Sequence, residues 1–226
     1  MRFKPHNYQQ YAISFITHNP ITAVLLDMGM GKTAITLMAI DYLMYEYFEI
    51  VKVLVICPLR VTRTWRDEVN KWEQLSGYRL SIVTGTVAQR KKALAADADI
   101  YIINRENVPW LVDKSGVPFD FDMVVIDELS SFKNHQTARH KALMKVRPFI
   151  KESWDLLEHL QAKDLWICLQ NSKCLTLDSV WVGLSDNSDS ITSDPIRSTE
   201  ISCIPINFCR EQRRKSMRRY RTSRFQ

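Results

Sequence analysis

The chain lacks the features that would put it in several common protein classes. No apolar run approaches the roughly 20 residues of a membrane-spanning helix. The first residues, MRFKPHNYQQY, contain no apolar stretch of the kind a secretory signal needs. A soluble, intracellular protein with no membrane partner is therefore expected. The five cysteines are odd in number, and none stand in CxxC or Cys/His spacing. Neither a disulfide framework nor a zinc site is expected from them. Internal repeats are absent, and so is the full GxxxxGK[ST] phosphate-loop pattern, because Leu26 stands where its first glycine belongs.

What is present is an ordinary globular composition, 46% hydrophobic, in 226 residues. That length supports one good core and a second small unit. The net charge of +6 is unevenly spread. Residues 1–151 hold 20 Lys and Arg against 15 Asp and Glu, residues 152–209 hold 3 against 9, and residues 210–226 hold 8 against 1. The terminal cluster REQRRKSMRRYRTSR could bind a polyanion or be a solvated tail.

Up to about Lys151, β-rich runs alternate with helical patterns. Residues 22–27, 52–57, 79–85, 99–104 and 122–127 read as strands. Their near-continuous apolar character suits strands buried on both faces of a parallel sheet. Residues 8–18, 32–47, 62–75, 88–96 and 135–147 read as helices. Strand and helix in alternation predict an α/β fold with a mostly parallel sheet flanked by helices. Beyond Lys151 the composition shifts: residues 152–226 have eleven serines and one alanine, against six and eleven in residues 1–151. A boundary at 150–152 and an irregular tail over 152–226 are expected.

The stretch AVLLDMGMGKTAI, residues 23–35, is an apolar run, a glycine-bearing loop and the start of a helix. At the carboxyl end of a parallel strand such a loop aims backbone N–H groups and a helix dipole at an anion. Gly29 and Gly31 let the backbone approach phosphate without a Cβ. Lys32 can reach the β- and γ-phosphates, and the Thr33 hydroxyl can ligate Mg²⁺. Met28 and Met30 complete the loop. A second apolar strand, MVVIDELSSFKN, ends at Asp127 and Glu128. Asp127 can hold Mg²⁺, and Glu128 can orient and deprotonate an attacking water. Loop and acid pair together indicate a P-loop NTPase of RecA-like type.

The segments DMGMGKT, VLVICPLRVTRTWRDEVNKW and VVIDELSSFKN resemble motifs I, Ia and II of the SNF2-like branch of superfamily 2 helicases, in their phage and bacterial form. FKPHNYQQYAISFI resembles the start of that lobe, DIYIINRENVPWLV its motif Ib, and KNHQTARHKALMKV the helix after motif II. The resemblance spans residues 3–151. It implies the ATP-binding lobe of a DNA-dependent ATPase that moves along double-stranded DNA, using ATP and Mg²⁺ in the cytoplasm of a bacterium or a phage-infected host. It assigns the adenine to Gln9, and phosphate-backbone contacts to Arg60, Thr62 and Arg63 in Ia and to Asn104 and Arg105 in Ib. Leu129 and Ser130 depart from the usual Ala-His or Ala-Gln after the acid pair, which puts coupling to DNA in question. Trp65 and Trp72 are expected as core or interface anchors. The TGT at 84–86 imitates motif III but precedes motif II.

The family continues with motif III, GLTGTP-like, and a second RecA-like lobe carrying arginines that complete hydrolysis. Neither is legible here. Reading across codon boundaries offers a reason. Trp154-Asp155 and Trp181-Val182 each force a glycine codon in the shifted frame, and the surrounding residues permit shifted peptides IVGLTGTPA and DLGQRLGRF. Residues from about 152 are thus expected to be an out-of-frame translation, with a natural short protein ending in a disordered basic tail as the alternative. This polypeptide, expected to be monomeric, should bind ATP weakly and turn it over little. A non-catalytic nucleotide- or DNA-binding module, or a small-molecule P-loop kinase, are the other readings.

Overall fold

Odd and even residues of the central strands part company in the fold. In the strand Val53–Cys57, Val53, Val55 and Cys57 join one core, and Leu54 and Ile56 join another. This is the period of two that a pleated strand imposes. Both faces are dry, which explains the continuous apolar runs of the sequence. The computed structural model describes residues 1–26, 29–128 and 136–150, together with the backbone of 152–157 and 179–182. All of these fall within one compact unit, Met1–Asn187.

The sheet has seven strands: β1 (Ile21–Leu25), β2 (Val53–Cys57), β3 (Leu80–Val83), β4 (Ile100–Asn104), β5 (Met123–Asp127), β6 (Glu152–Leu157) and β7 (Ser179–Val182). Their spatial order is β3-β4-β2-β5-β6-β1-β7, and every pairing is parallel. On one face lie α1 (Asn7–His18), α2 (Lys32–Asp41) and α3 (Thr62–Lys71), whose Ile13, Ile16, Ile35, Leu37, Trp65 and Val69 pack on Val53, Val55, Ile102 and Val125. On the other lie α4 (Val87–Leu94), α5 (Val108–Asp113) and α6 (Ala138–Val146), whose Leu94, Leu111 and Leu143 pack on Leu54, Ile56, Ile103 and Ile126. The α/β fold with a parallel sheet flanked by helices is as the sequence implies.

The differences are local. The helical pattern 32–47 is interrupted: α2 stops at Asp41, and a π-helical turn, Tyr42–Glu46, follows, with the Tyr47 N–H bonded to the Tyr42 carbonyl at 2.9 Å. Two residues after the turn, Phe48 has φ 53°. The helical pattern 62–75 is shortened: α3 stops at Lys71, so Trp72 stands just outside it, edge-on to Phe3 at 5.0 Å between centroids. Helix α5 was not legible; it is short and begins with a proline in its first turn, where no N–H is needed. The TGT at 84–86 serves α4: the Thr86 side chain accepts from the Gln89 N–H at 3.3 Å, and Gln89 Oε1 accepts from the Thr86 N–H at 2.8 Å, a capping box. The compositional boundary at 150–152 falls between α6 and β6. The described backbone beyond it, β6 and β7, belongs to the same sheet.

Candidate functional site

Because every strand runs the same way, all carboxyl ends lie along one rim. That rim gathers the loop after β1, Pro58 after β2, Asn104 and Arg105 at the end of β4, and Asp127 and Glu128 at the end of β5. Strand β6 separates β1 from β5, its Leu156 opposite Asp127 and its Leu157 opposite Leu25. Loop and acids are therefore two strand spacings apart, about 10 Å. A magnesium-bound triphosphate can bridge such a span.

The loop is built for close backbone approach. Gly29 and Gly31 have φ of 82° and 78°, a left-handed conformation that side chains resist. A Cβ on Gly31 would lie 2.8 Å from Gln9 Nε2; one on Gly29 would meet no described atom within 4 Å. The Gly31 conformation starts α2, so the first turn of that helix begins at the rim, and its first intrahelical bond runs from the Ile35 N–H to the Gly31 carbonyl at 2.9 Å. Lys32 is 8% exposed, and its Nζ donates to the Leu26 carbonyl at 2.9 Å. The ammonium is thus held against the loop rather than extended into water. Thr33, half-buried, is the second residue of the helix, and Met30 packs on the core. Met28 lies outside the described residues, as do Leu129 and Ser130.

Gln9 is buried and joined to this loop. Its Nε2 donates to the Met30 carbonyl at 3.2 Å, and its Oε1 accepts from the His6 N–H at 3.0 Å. The Tyr8 hydroxyl donates to the same carbonyl at 3.2 Å. Residues from the start of the chain therefore buttress the phosphate loop, a contact that the sequence suggested for neither residue, since it gave Gln9 to the adenine.

At the acid end, Trp65 supplies a contact that the sequence did not announce. Its indole is fully buried, and Nε1 donates to Asp127 Oδ2 at 2.9 Å. Glu128 has φ 71°, an uncommon backbone for a non-glycine residue, and its Oε2 accepts from Arg105 Nη1 at 3.1 Å. Arg105 Nε also donates to Glu106 Oε1 at 2.9 Å, and Arg139 Nη1 lies 3.6 Å from the same oxygen. Burial alone would raise the Glu106 carboxyl, but hydrogen bonds from Arg105 and Asn104 hold it below the usual range. Cys57, buried at the end of β2, has its thiol pushed up to about 12, first by burial and then by the charges of Asp127 and Glu106. Its burial within the core fits a packing role.

The DNA candidates divide. Arg60 and Arg63 are exposed beside the start of α3. Thr62 is 5% exposed, and its hydroxyl donates to the Leu59 carbonyl at 2.8 Å. Asn104 is 8% exposed; its Nδ2 donates to Glu106 Oε2 at 3.2 Å and its Oδ1 accepts from Asn107. The side chains of Thr62 and Asn104 are thus engaged inside the lobe, while Arg105 is engaged with acids.

The donor set fits a polyphosphate and Mg²⁺. The left-handed glycine loop leaves room for anionic oxygens, a buried ammonium sits beside it, and Asp127 with Thr33 offers the few oxygen ligands that Mg²⁺ takes from protein when phosphates supply others.

An α/β lobe with a glycine loop and an acid pair on one rim has the arrangement of a P-loop ATPase lobe. The chain belongs to the SNF2-related family: residues 8–149 match the SNF2-related domain. It is 35% identical over 134 residues to protein p41 of Acyrthosiphon pisum secondary endosymbiont phage 1, covering 58% of this chain and 29% of p41. It is 29% identical over 162 residues to the ISWI chromatin-remodeling complex ATPase ISW1 of Saccharomyces cerevisiae, covering 63% of this chain and 14% of ISW1. In fold it is similar to the Sulfolobus solfataricus SWI2/SNF2 ATPase core solved in complex with dsDNA, with TM-score 0.62 at 24% identity over 76% of this chain and 36% of that one. The UvsW helicase of bacteriophage T4 has TM-score 0.60 at 18% identity, over 80% of this chain and 61% of UvsW. The chain thus spans less than a third of the length of either sequence relative. Among the described residues no helix is long and apolar enough to cross a membrane.

Proposed function

We propose that this lobe binds Mg²⁺-ATP at the carboxyl rim and serves an ATP-driven motor acting on double-stranded DNA. The observation that carries the proposal is the common rim: the glycine loop with Lys32 and the pair Asp127-Glu128 end strands of one parallel sheet, in the region that matches the SNF2-related domain. Lys32 would leave the Leu26 carbonyl for the β- and γ-phosphates, an exchange of a neutral acceptor for a charged one. Thr33 and Asp127 would hold Mg²⁺, which when bound would neutralise phosphate charge. Glu128 would orient the attacking water. Gln9 would hold the loop as it meets the nucleotide, and Arg60 and Arg63 would meet DNA phosphates without reading sequence.

We further propose that residues from about 152 translate a shifted frame of an SNF2-like gene. What supports this is the sequence: the residues of β6, ESWDLL, do not spell motif III, while the shifted frame permits it. Sequencing the encoding DNA tests this: a shifted frame that meets early stops or yields no helicase-like peptide removes the idea.

A second reading, nucleotide binding without turnover, is favoured by the Arg105 pair on Glu128, which occupies the carboxylate needed for water. Both readings require binding. Calorimetric titration with Mg²⁺-ATP should show uptake by the wild-type chain and none by Lys32→Ala, with binding of DNA through Arg60, Arg63 and the basic terminus retained in the variant. A folded wild-type chain that takes up no Mg²⁺-ATP overturns the proposal. Uptake without hydrolysis favours the second reading.

A further inference from the structure

We infer that Trp65 is a positioning residue for the magnesium-holding carboxylate: its indole N–H fixes the orientation of Asp127 and so sets metal affinity. The inference rests on the nucleotide reading above. A buried tryptophan needs a partner for its N–H, and a backbone carbonyl would satisfy that need. Here the partner is a side-chain carboxylate 62 residues away, at 2.9 Å. The donor is fully buried in the core formed by α1, α2 and α3, packed with Val55, Cys57 and Val125. It therefore cannot turn away from Asp127 without disturbing that core.

The bond occupies Oδ2 of a half-buried carboxylate at the end of β5. A carboxylate held by a neighbour is a better metal ligand than one free to rotate, because less orientational freedom is lost on binding. The same indole lies on α3, whose first turn carries Thr62 and Arg63. One short helix thus joins the phosphate-contact candidates to the metal end of the site.

The test is nucleotide binding with and without magnesium, so it does not depend on turnover. Wild-type protein should bind ATP more tightly with Mg²⁺ than in EDTA. Trp65→Phe keeps the aromatic packing and removes the N–H. Loss of such an outer hydrogen bond typically lowers metal affinity about 10- to 100-fold. The variant should lose that enhancement by at least about tenfold, while binding metal-free ATP as well as wild type. Asp127→Asn should lose it as well, and the double variant should be no worse than Asp127→Asn alone. If Trp65→Phe does not fold, a sulfur-for-NH isostere of tryptophan (benzothienylalanine) placed at position 65 preserves shape and removes the donor. Unchanged magnesium enhancement in either variant overturns the inference. So does an equal loss of binding with and without metal, which would mark a purely structural role. A wild-type chain that binds no ATP at all would fail the nucleotide reading itself, and is recognised by the first measurement.

Discussion

Gly31 is the residue on which the loop turns. A Cβ there meets two penalties: a left-handed backbone, which costs about 1–2 kcal/mol for an ordinary residue, and the amide of Gln9 at 2.8 Å. Gly31→Ala should therefore lower the melting temperature by several degrees, since about 1 kcal/mol corresponds to roughly 2–4 °C in a chain of this size. It should also weaken Mg²⁺-ATP uptake, because Gln9 must move away from the Met30 carbonyl. Thermal melting and calorimetry on one sample read both effects. Gly29→Ala meets no described atom, so its melting effect should come from backbone strain alone.

Glu106 carries a pH signature. Its folded carboxyl lies below the ordinary value of 4.5, so its ionised form is favoured by folding. The sign follows: the contribution is present above about pH 4.5 and is lost as pH falls through the lower folded value. Compared with Glu106→Gln, the wild-type chain should hold its stability advantage at pH 6 and lose it progressively below pH 4.5, as denaturant midpoints measured across that range would register. The side chain is half exposed, so solvent and salt screen the effect, and it should shrink in high salt.

At the scale of elements, the middle of the sheet bears the most weight. Ile56 is fully buried in β2, which lies between β4 and β5, and packs on the α4–α6 face. Ile56→Ala should cost about 2–5 kcal/mol, the range for emptying a large aliphatic site; urea titration measures it. The same burial explains what the sequence could disclose. Strands 52–57, 99–104 and 122–127 were legible because a run dry on both faces has no polar interruption. Helix ends were less legible. The π-helical turn at Tyr42–Glu46 leaves the hydrophobic spacing of a helix nearly intact, so the pattern ran on past Asp41. Helix α5 is under two turns long, too short for a period to show. Lys32 and Asp127 stood out as candidates by residue type and spacing. The Trp65–Asp127 bond did not, because nothing in a sequence reveals which carboxylate a buried indole will meet across 62 positions.

For the molecule as a whole, the described rim carries phosphate, metal and water candidates from this lobe alone. In P-loop enzymes an arginine supplied across the transferring phosphate is worth on the order of 10³–10⁵ in rate. On the function proposed above, with no such arginine among the described rim residues placed opposite the loop, slow ATP hydrolysis with no large rise on adding double-stranded DNA is the expected outcome; a phosphate-release assay with and without duplex decides. DNA-stimulated turnover at the pace of a two-lobe motor would contradict this. Binding of duplex should weaken steeply with salt, since contacts through Arg60 and Arg63 would address phosphates only.

Strand β6 has a consequence for how much alteration the rim tolerates. It acts as a shim: the distance between the glycine loop and the acids is gauged by the width of its peptide backbone, which is the same whatever side chains it bears. Exchanging the side chains of β6 should therefore leave the gap between glycine loop and acids at the same width.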